Sequence, residues 1–175
     1  KAGEGNERRK KLWNEYVPKH LLTRIYGYEL LMAPYAVAHL KIGLALRHTG
    51  YRFKEKQRLQ IYITNSLEPP SPLSKWVPDF LAQETYAVNK IKQKGRFTVI
   101  IGNPPYKGIS SNNNKWIAGL IEDYKYVDGI HFNERKHWLN DDYVKFLRFS
   151  QNIIDINGSG ILGFINPHGF LDNPT

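Results

Sequence analysis

The sequence predicts an α/β domain built on a mostly parallel sheet with flanking helices. Two observations carry that. First, Phe97–Ile101 (FTVII) is an almost unbroken β-forming run that stops at Gly102-Asn103-Pro104-Pro105, and Gly158–Ile165 (GSGILGFI) is a second such run. Apolar runs bounded by Gly and Pro are the mark of strands buried on both faces. Second, strand-like runs alternate with stretches of helical period, giving strand–helix units followed by a further strand, with no internal repeat.

Taken in order, Lys1–Lys11 is polar and carries the basic run Arg8-Arg9-Lys10-Lys11, which reads as a solvated helix start or a frayed terminus. Trp13, Tyr16 and Val17 add a short apolar stripe, expected to belong to a helix ended near Pro18. Arg24–Leu30 (RIYGYEL) is the first strand. A helix follows, with Pro34 in its first turn, Val37, Leu40 and Leu44 at helical spacing, and Thr49-Gly50 at its end. Arg58–Thr64 (RLQIYIT) alternates as the next strand and ends at Asn65-Ser66-Leu67. The Pro- and Ser-rich segment Glu68–Lys75 is a loop. Trp76–Lys94 is helical through Phe80, Tyr86/Ala87 and Ile91, with Gly95 as its stop.

Lys107–His137 has the least regular pattern and reads as a long loop beside a strand end, the place of a lid or a substrate-contact segment. Asn140-Asp141-Asp142 then caps a helix whose inward stripe is Tyr143, Phe146/Leu147, Ser150 and Ile153/Ile154, with Lys145 and Arg148 off the stripe. Capping accounts for Asp141 and Asp142 better than catalysis does.

The 175 residues suit one domain with a sizeable core, and 25 Lys+Arg against 16 Asp+Glu give a formal charge of +9, pointing to a polyanionic partner. With no cysteine there is no disulfide framework, thiol nucleophile or thiolate metal site, and the six histidines lack metal-ligand spacing. No signal peptide or membrane-length apolar run is present.

The chemistry concentrates where the first buried run ends. Two prolines halt the ladder and stiffen the turn, so Asn103 and Tyr106 are held on a rigid loop at the carboxyl end of a strand, where open α/β sheets bind ligands. Methyl transfer to a planar NH2 group suits this arrangement. The lone pair of such a nitrogen is delocalised, and the Asn103 amide oxygen and Pro104 carbonyl can each accept one of its hydrogens, pushing the pair toward a donor methyl. Tyr106 can stack on the ring that bears the nitrogen. The plainer alternative is that Asn-Pro-Pro only ends a strand. Glu29, near the end of a strand that feeds a helix, is placed as nucleotide-binding sheets place their ribose ligand, a carboxylate accepting two hydroxyls.

Ile101–Tyr106 resembles the NPPY motif of the S-adenosylmethionine-dependent amino-methyltransferases, chiefly those that act on adenine N6 in DNA. Tyr26–Leu40, Ile61–Leu67, Asp141–Phe149 and GFLD with Asn173–Thr175 extend the likeness to the methyltransferase portion of the Type ISP single-polypeptide restriction–modification enzymes, from about Trp13 onward. The resemblance implies an incomplete Rossmann-like methyltransferase fold and S-adenosyl-L-methionine as cofactor. The partners it implies are double-stranded DNA with a flipped adenine and the remainder of a larger polypeptide, in a prokaryotic cytoplasm. It implies catalytic roles for Asn103, Pro104, Pro105 and Tyr106, and a ribose contact for Glu29. At Asn65, where many of these enzymes carry Asp, the side chain either accepts from the cofactor's adenine amino group or is a turn residue. Lys107, His168 and Phe170 are the candidate substrate contacts. Lys115, Lys125, Arg135 and Lys136, with Trp116, Tyr124 and Tyr126, are expected either to line a nucleotide path or to be ordinary loop residues.

Under this reading 1–23 is a lead-in, 24–94 the cofactor side and 95–175 the catalytic half. No glycine-rich turn precedes Glu29, and neither the last strands nor a target-recognition domain follows. The expectation is therefore a fragment that does not bind the cofactor alone and whose Glu29 and Asn103 strands are not paired along their length. Two other functions stay open: the same chemistry on another amide or amino nitrogen (protein glutamine or RNA), and a non-catalytic DNA-binding fragment.

Overall fold

A computed structural model of the chain describes residues 2–55, 57–70, 79–106, 108, 110–133 and 137–169. It divides into two compact units, Lys1–Ser66 with Pro78–Val88 and Leu67–Val77 with Asn89–Thr175.

In the first unit, α1 (Ala2–Tyr16) runs without a break into a π-helical turn, Val17–Leu21. The α-helix thus ends near Pro18, as expected, and the chain goes on as a wider turn, because a proline has no N–H for the i→i−4 ladder. Val17 is fully buried and joins Leu22, Leu46, Tyr51, Leu59 and Ile61 in one core. Trp13 packs on that core and donates its indole N–H to Thr49 Oγ1 at 2.7 Å. Asn14 donates to the Gly50 carbonyl and accepts from the Arg52 amide, so both ends of its carboxamide are used.

Strands β1 (Tyr26–Glu29) and β2 (Gln60–Ile63) pair in parallel, with Glu29 opposite Ile63, and α2 (Met32–His48) supplies the crossover. The Thr64 amide donates to the Glu29 carbonyl at 2.8 Å and carries the ladder one step further. α2 ends where the sequence placed it, at Thr49 and Gly50. Its stripe Val37, Leu40 and Leu44, however, is exposed, and the helix packs through Tyr35, Ala38 and Leu46. The sequence of α2 is apolar almost all round, so its period does not say which face turns inward.

α3 (Asp79–Lys94) ends at Gly95, whose amide donates to the Ile91 carbonyl. In the second unit, β3 (Val99–Gly102) pairs in parallel with β6 (Ile161–Phe164), Gly102 opposite Phe164. These strands were expected to be buried on both faces, and they are not. Val99, Ile101 and Ile161 share a face and are 59%, 80% and 68% exposed, whereas Ile100, Leu162 and Phe164 on the other face are half-buried. Each strand has a single partner among the described residues, and α5 (Asp142–Asn157) packs against β6. The apolar run therefore signals a strand that could be covered twice and here is covered once.

The long loop expected over Lys107–His137 is a second correction. It contains α4 (Lys115–Glu122) and a hairpin, β4 (Tyr126–Val127) and β5 (Ile130–His131). Asn114 caps α4 by accepting from the Ile117 amide. Asp128 and Gly129 both have positive φ, 52° and 79°, as a two-residue hairpin turn requires.

α5 is capped at Asp141, whose side chain accepts from the Tyr143 amide, and it closes on Gly158 at φ 83°. Ile121, Tyr143 and Val144 form its core contact with α4. Lys145 and Arg148, expected off the inward stripe, are buried. Both lie over polar chain that accepts from them: Lys145 donates to Asn112 and Asn113, and Arg148 to the Leu120 carbonyl and Asp123. Among the described residues no helix is long and apolar enough to cross a membrane.

Candidate active site

Parallel pairing puts the carboxyl ends of β3 and β6 on one rim, so the loop Asn103–Tyr106 and the loop that begins at Ile165 leave the sheet side by side. Gly102 makes the close approach possible, since a Cβ there would lie 3.0 Å from Phe164 Cε1. Asn103 is exposed at the strand end, Pro104 is buried beneath it, and Pro105 and Tyr106 are exposed. The Tyr106 hydroxyl lies 3.0 Å from Asn103 Oδ1 and 2.8 Å from the Ile165 carbonyl oxygen. Its ring meets Tyr143 edge-on at 6.4 Å.

Behind this loop the chain is fastened to the first turn of α5. The buried carboxylate of Asp142 accepts from Ser110 Oγ and from Asn112 Nδ2, and Lys145 Nζ donates to the Asn112 carbonyl at 2.6 Å and to Asn113 Oδ1 at 3.1 Å. Burial lowers the pKa of the Lys145 ammonium, and the Asp142 charge opposes that shift. Asn114 Nδ2 donates to the Leu67 carbonyl. Ser110 and Asp142 are 32 residues apart and Asn112 and Lys145 are 33, and these pairs join only when α5 docks, so no local pattern announces the network.

A cleft of about 510 Å³ opens beside the network, with Asn112, Asn113, Lys125, His131, His137 and Lys145 in its wall. Lys125 pairs with Glu122 at 2.7 Å and holds that carboxyl below its usual range. The aromatic candidates for a nucleotide path each have a partner. Trp116 packs against Phe149, Tyr124 donates to Gln151 Oε1, and Tyr126 meets His131. His168 is exposed in the turn after β6, and Asn166 Oδ1 is enclosed there without a partner among the described residues. Lys107, Phe170, Arg135 and Lys136 lie outside the described residues. Among the described residues no three His, Asp or Glu side chains gather to hold a metal.

In the first unit Glu29 and Asn65 also share a rim, at the carboxyl ends of the β1–β2 pair. Glu29 Oε1 accepts from the Leu30 amide at 2.8 Å and the Leu31 amide at 3.0 Å, just ahead of α2. The carboxylate is thus fixed in direction by its own chain. Among the described residues Oε2 makes no hydrogen bond, and it is left able to accept. Asn65 is half-buried.

A sequence model of the family described as Eco57I restriction-modification methylase matches residues 23–175. The chain belongs to this family. Solved structures similar to this Eco57I-family chain share its mixed α/β fold of parallel strands and helices. One is a nuclease-deletion mutant of the Type ISP restriction-modification enzyme LlaGI in complex with a DNA substrate mimic, 20% identical, covering 94% of this chain and 14% of that one, with a TM-score of 0.67. Another is the ATP-dependent Type ISP restriction-modification enzyme LlaBIII bound to DNA, 21% identical over 83% of this chain and 10% of that one, TM-score 0.61. A third is a DrdV–DNA complex, 24% identical over 93% of this chain and 16% of that one, TM-score 0.65. The Eco57I-family chain thus spans a small part of the length of each structure. No curated protein matches it.

Proposed function

We propose that the chain is the catalytic-loop part of a DNA adenine-N6 methyltransferase within a restriction–modification enzyme. The observation that carries this is Asn103, exposed at the carboxyl end of β3 above a buried Pro104, in a chain of the Eco57I restriction-modification methylase family. Asn103 Oδ1 and the Pro104 carbonyl accept the two N–H groups of an adenine turned out of the duplex, which is how an enzyme reaches a base inside a stack. Tyr106 covers the ring. As positive charge develops on the nitrogen, both acceptor bonds strengthen, so the arrangement favours the transition state over the bound substrate.

S-adenosyl-L-methionine supplies the methyl group on a sulfonium. The donor set fits it: Glu29 holds a carboxylate oxygen with no partner among the described residues for the ribose hydroxyls, and Asn65 on the same rim brings an amide oxygen for the adenine amino group. The nitrogen's spare proton leaves to solvent after transfer. His168, Lys107 and Phe170 are proposed contacts to the base or its strand. A formal charge of +9 suits a phosphate backbone.

The test is transfer of labelled methyl by the full-length protein to DNA, to RNA and to a glutamine-bearing protein. Label on adenine N6, lost with Asn103→Ala while DNA binding persists, is the expected result. Label on glutamine or RNA overturns the substrate, and an Asn103→Ala protein that methylates normally overturns the site.

A further inference from the structure

The Tyr106 hydroxyl stands within hydrogen-bond distance of two acceptors, Asn103 Oδ1 at 3.0 Å and the Ile165 carbonyl at 2.8 Å. A phenol has one proton, so it cannot serve both, and whichever oxygen it neglects faces its lone pairs. Of the two, the Ile165 carbonyl cannot turn. It is a backbone oxygen with no N–H end to present in its place, on a residue whose own amide donates to the Gly102 carbonyl at 3.1 Å and continues the β3–β6 ladder. The Asn103 carboxamide can turn, because rotation about its terminal bond is broad and the side chain is exposed.

We infer that the Tyr106 hydroxyl decides which end of the Asn103 carboxamide meets the substrate amine. With the amide turned, Asn103 Nδ2 donates to the Tyr106 oxygen and the Tyr106 O–H donates to the Ile165 carbonyl. All three groups are then satisfied in one direction, and Oδ1, the acceptor that methyl transfer needs, is directed away from Tyr106. The relay also draws electron density along the amide toward Oδ1, since linked hydrogen bonds polarise one another. Tyr106 is in this respect a positioning residue through its hydroxyl, separately from any stacking by its ring. The inference rests on the methyl-transfer reading above.

Tyr106→Phe in the full-length protein isolates the hydroxyl, because the ring remains. The single-turnover rate constant for methyl transfer is expected to fall about tenfold, the worth of one hydrogen bond, with KM for DNA within about twofold of wild type. Tyr106→Leu, which also loses the ring, is expected to raise KM as well. Turnover amplitude counts competent enzyme, so misfolding shows in the amplitude and leaves the rate constant unchanged. A Tyr106→Phe protein with the wild-type rate constant, or one whose loss lies in KM or in amplitude alone, overturns the relay. If Tyr106→Phe matches wild type while Asn103→Ala is inactive, the relay falls and the proposed function stands. If the wild-type protein methylates no amine, both fall.

Discussion

The ammonium of Lys145, 3% exposed in α5, donates to the carbonyl of Asn112 at 2.6 Å and so ties the chain behind Tyr106 to the helix that also meets the Tyr106 ring. Removing a buried charged donor takes this hydrogen bond from the Asn112 carbonyl and leaves Asp142 with less compensation. Lys145→Met is therefore expected to cost about 1–3 kcal/mol in urea denaturation, against less than about 0.5 for Lys115→Met on the exposed side of α4. Equal costs at the two positions would show that the network adds nothing.

Asn114 does two things at once, accepting from the Ile117 amide to start α4 and donating to the Leu67 carbonyl. Asn114→Ala loses both and is expected to cost about 1–2 kcal/mol. Asn114→Asp keeps the cap and should fall between Ala and wild type. Should Asp be as damaging as Ala, the Leu67 contact and not the cap holds α4.

Burial lowers the pKa of the Lys92 ammonium to about 8, with Glu68 opposing the shift. The side chain is neutral in the folded protein and charged in the unfolded one between about pH 8 and its ordinary value near 10.4. Over that window the unfolded state binds more protons, so this group makes the fold more stable as pH rises. The wild-type denaturation midpoint should gain on that of Lys92→Met between pH 8 and pH 10. Parallel curves for the two proteins would contradict the shift.

Glu29→Ala removes the proposed ribose acceptor. In the full-length protein it should weaken S-adenosylmethionine binding about 10- to 100-fold by calorimetry, as expected for charge-assisted hydrogen bonds. Because Oε1 also accepts from the Leu30 and Leu31 amides, Glu29→Gln should keep the turn and lose less. Unchanged affinity in Glu29→Ala would remove Glu29 from the cofactor site.

Much of the fold was legible because local chemistry dictated it. The Thr49-Gly50 stop of α2, the Asp141 cap of α5 and the proline-stopped β3 each depend on a few adjacent residues. Asn114 and the Asp128-Gly129 turn carried the same kind of signal and identify α4 and the hairpin, yet the mixed charges around them read as loop. Burial was less legible. Whether Ile101 is covered depends on what lies against β3, and whether Lys145 is inside depends on the polar loop that receives it. At the candidate site, the exposed place of Asn103–Tyr106 at the end of β3 was legible, but the Ile165 carbonyl beside it was not, since any residue could have supplied it.

The tether from Tyr106 reaches 59 residues down the chain to Ile165. A nascent polypeptide therefore emerges with its asparagine loop unsecured, and only the late arrival of β6 fastens it. Long-range closures of this kind are slow steps in folding. Cells making the protein would thus hold a half-built rim until synthesis has passed residue 165.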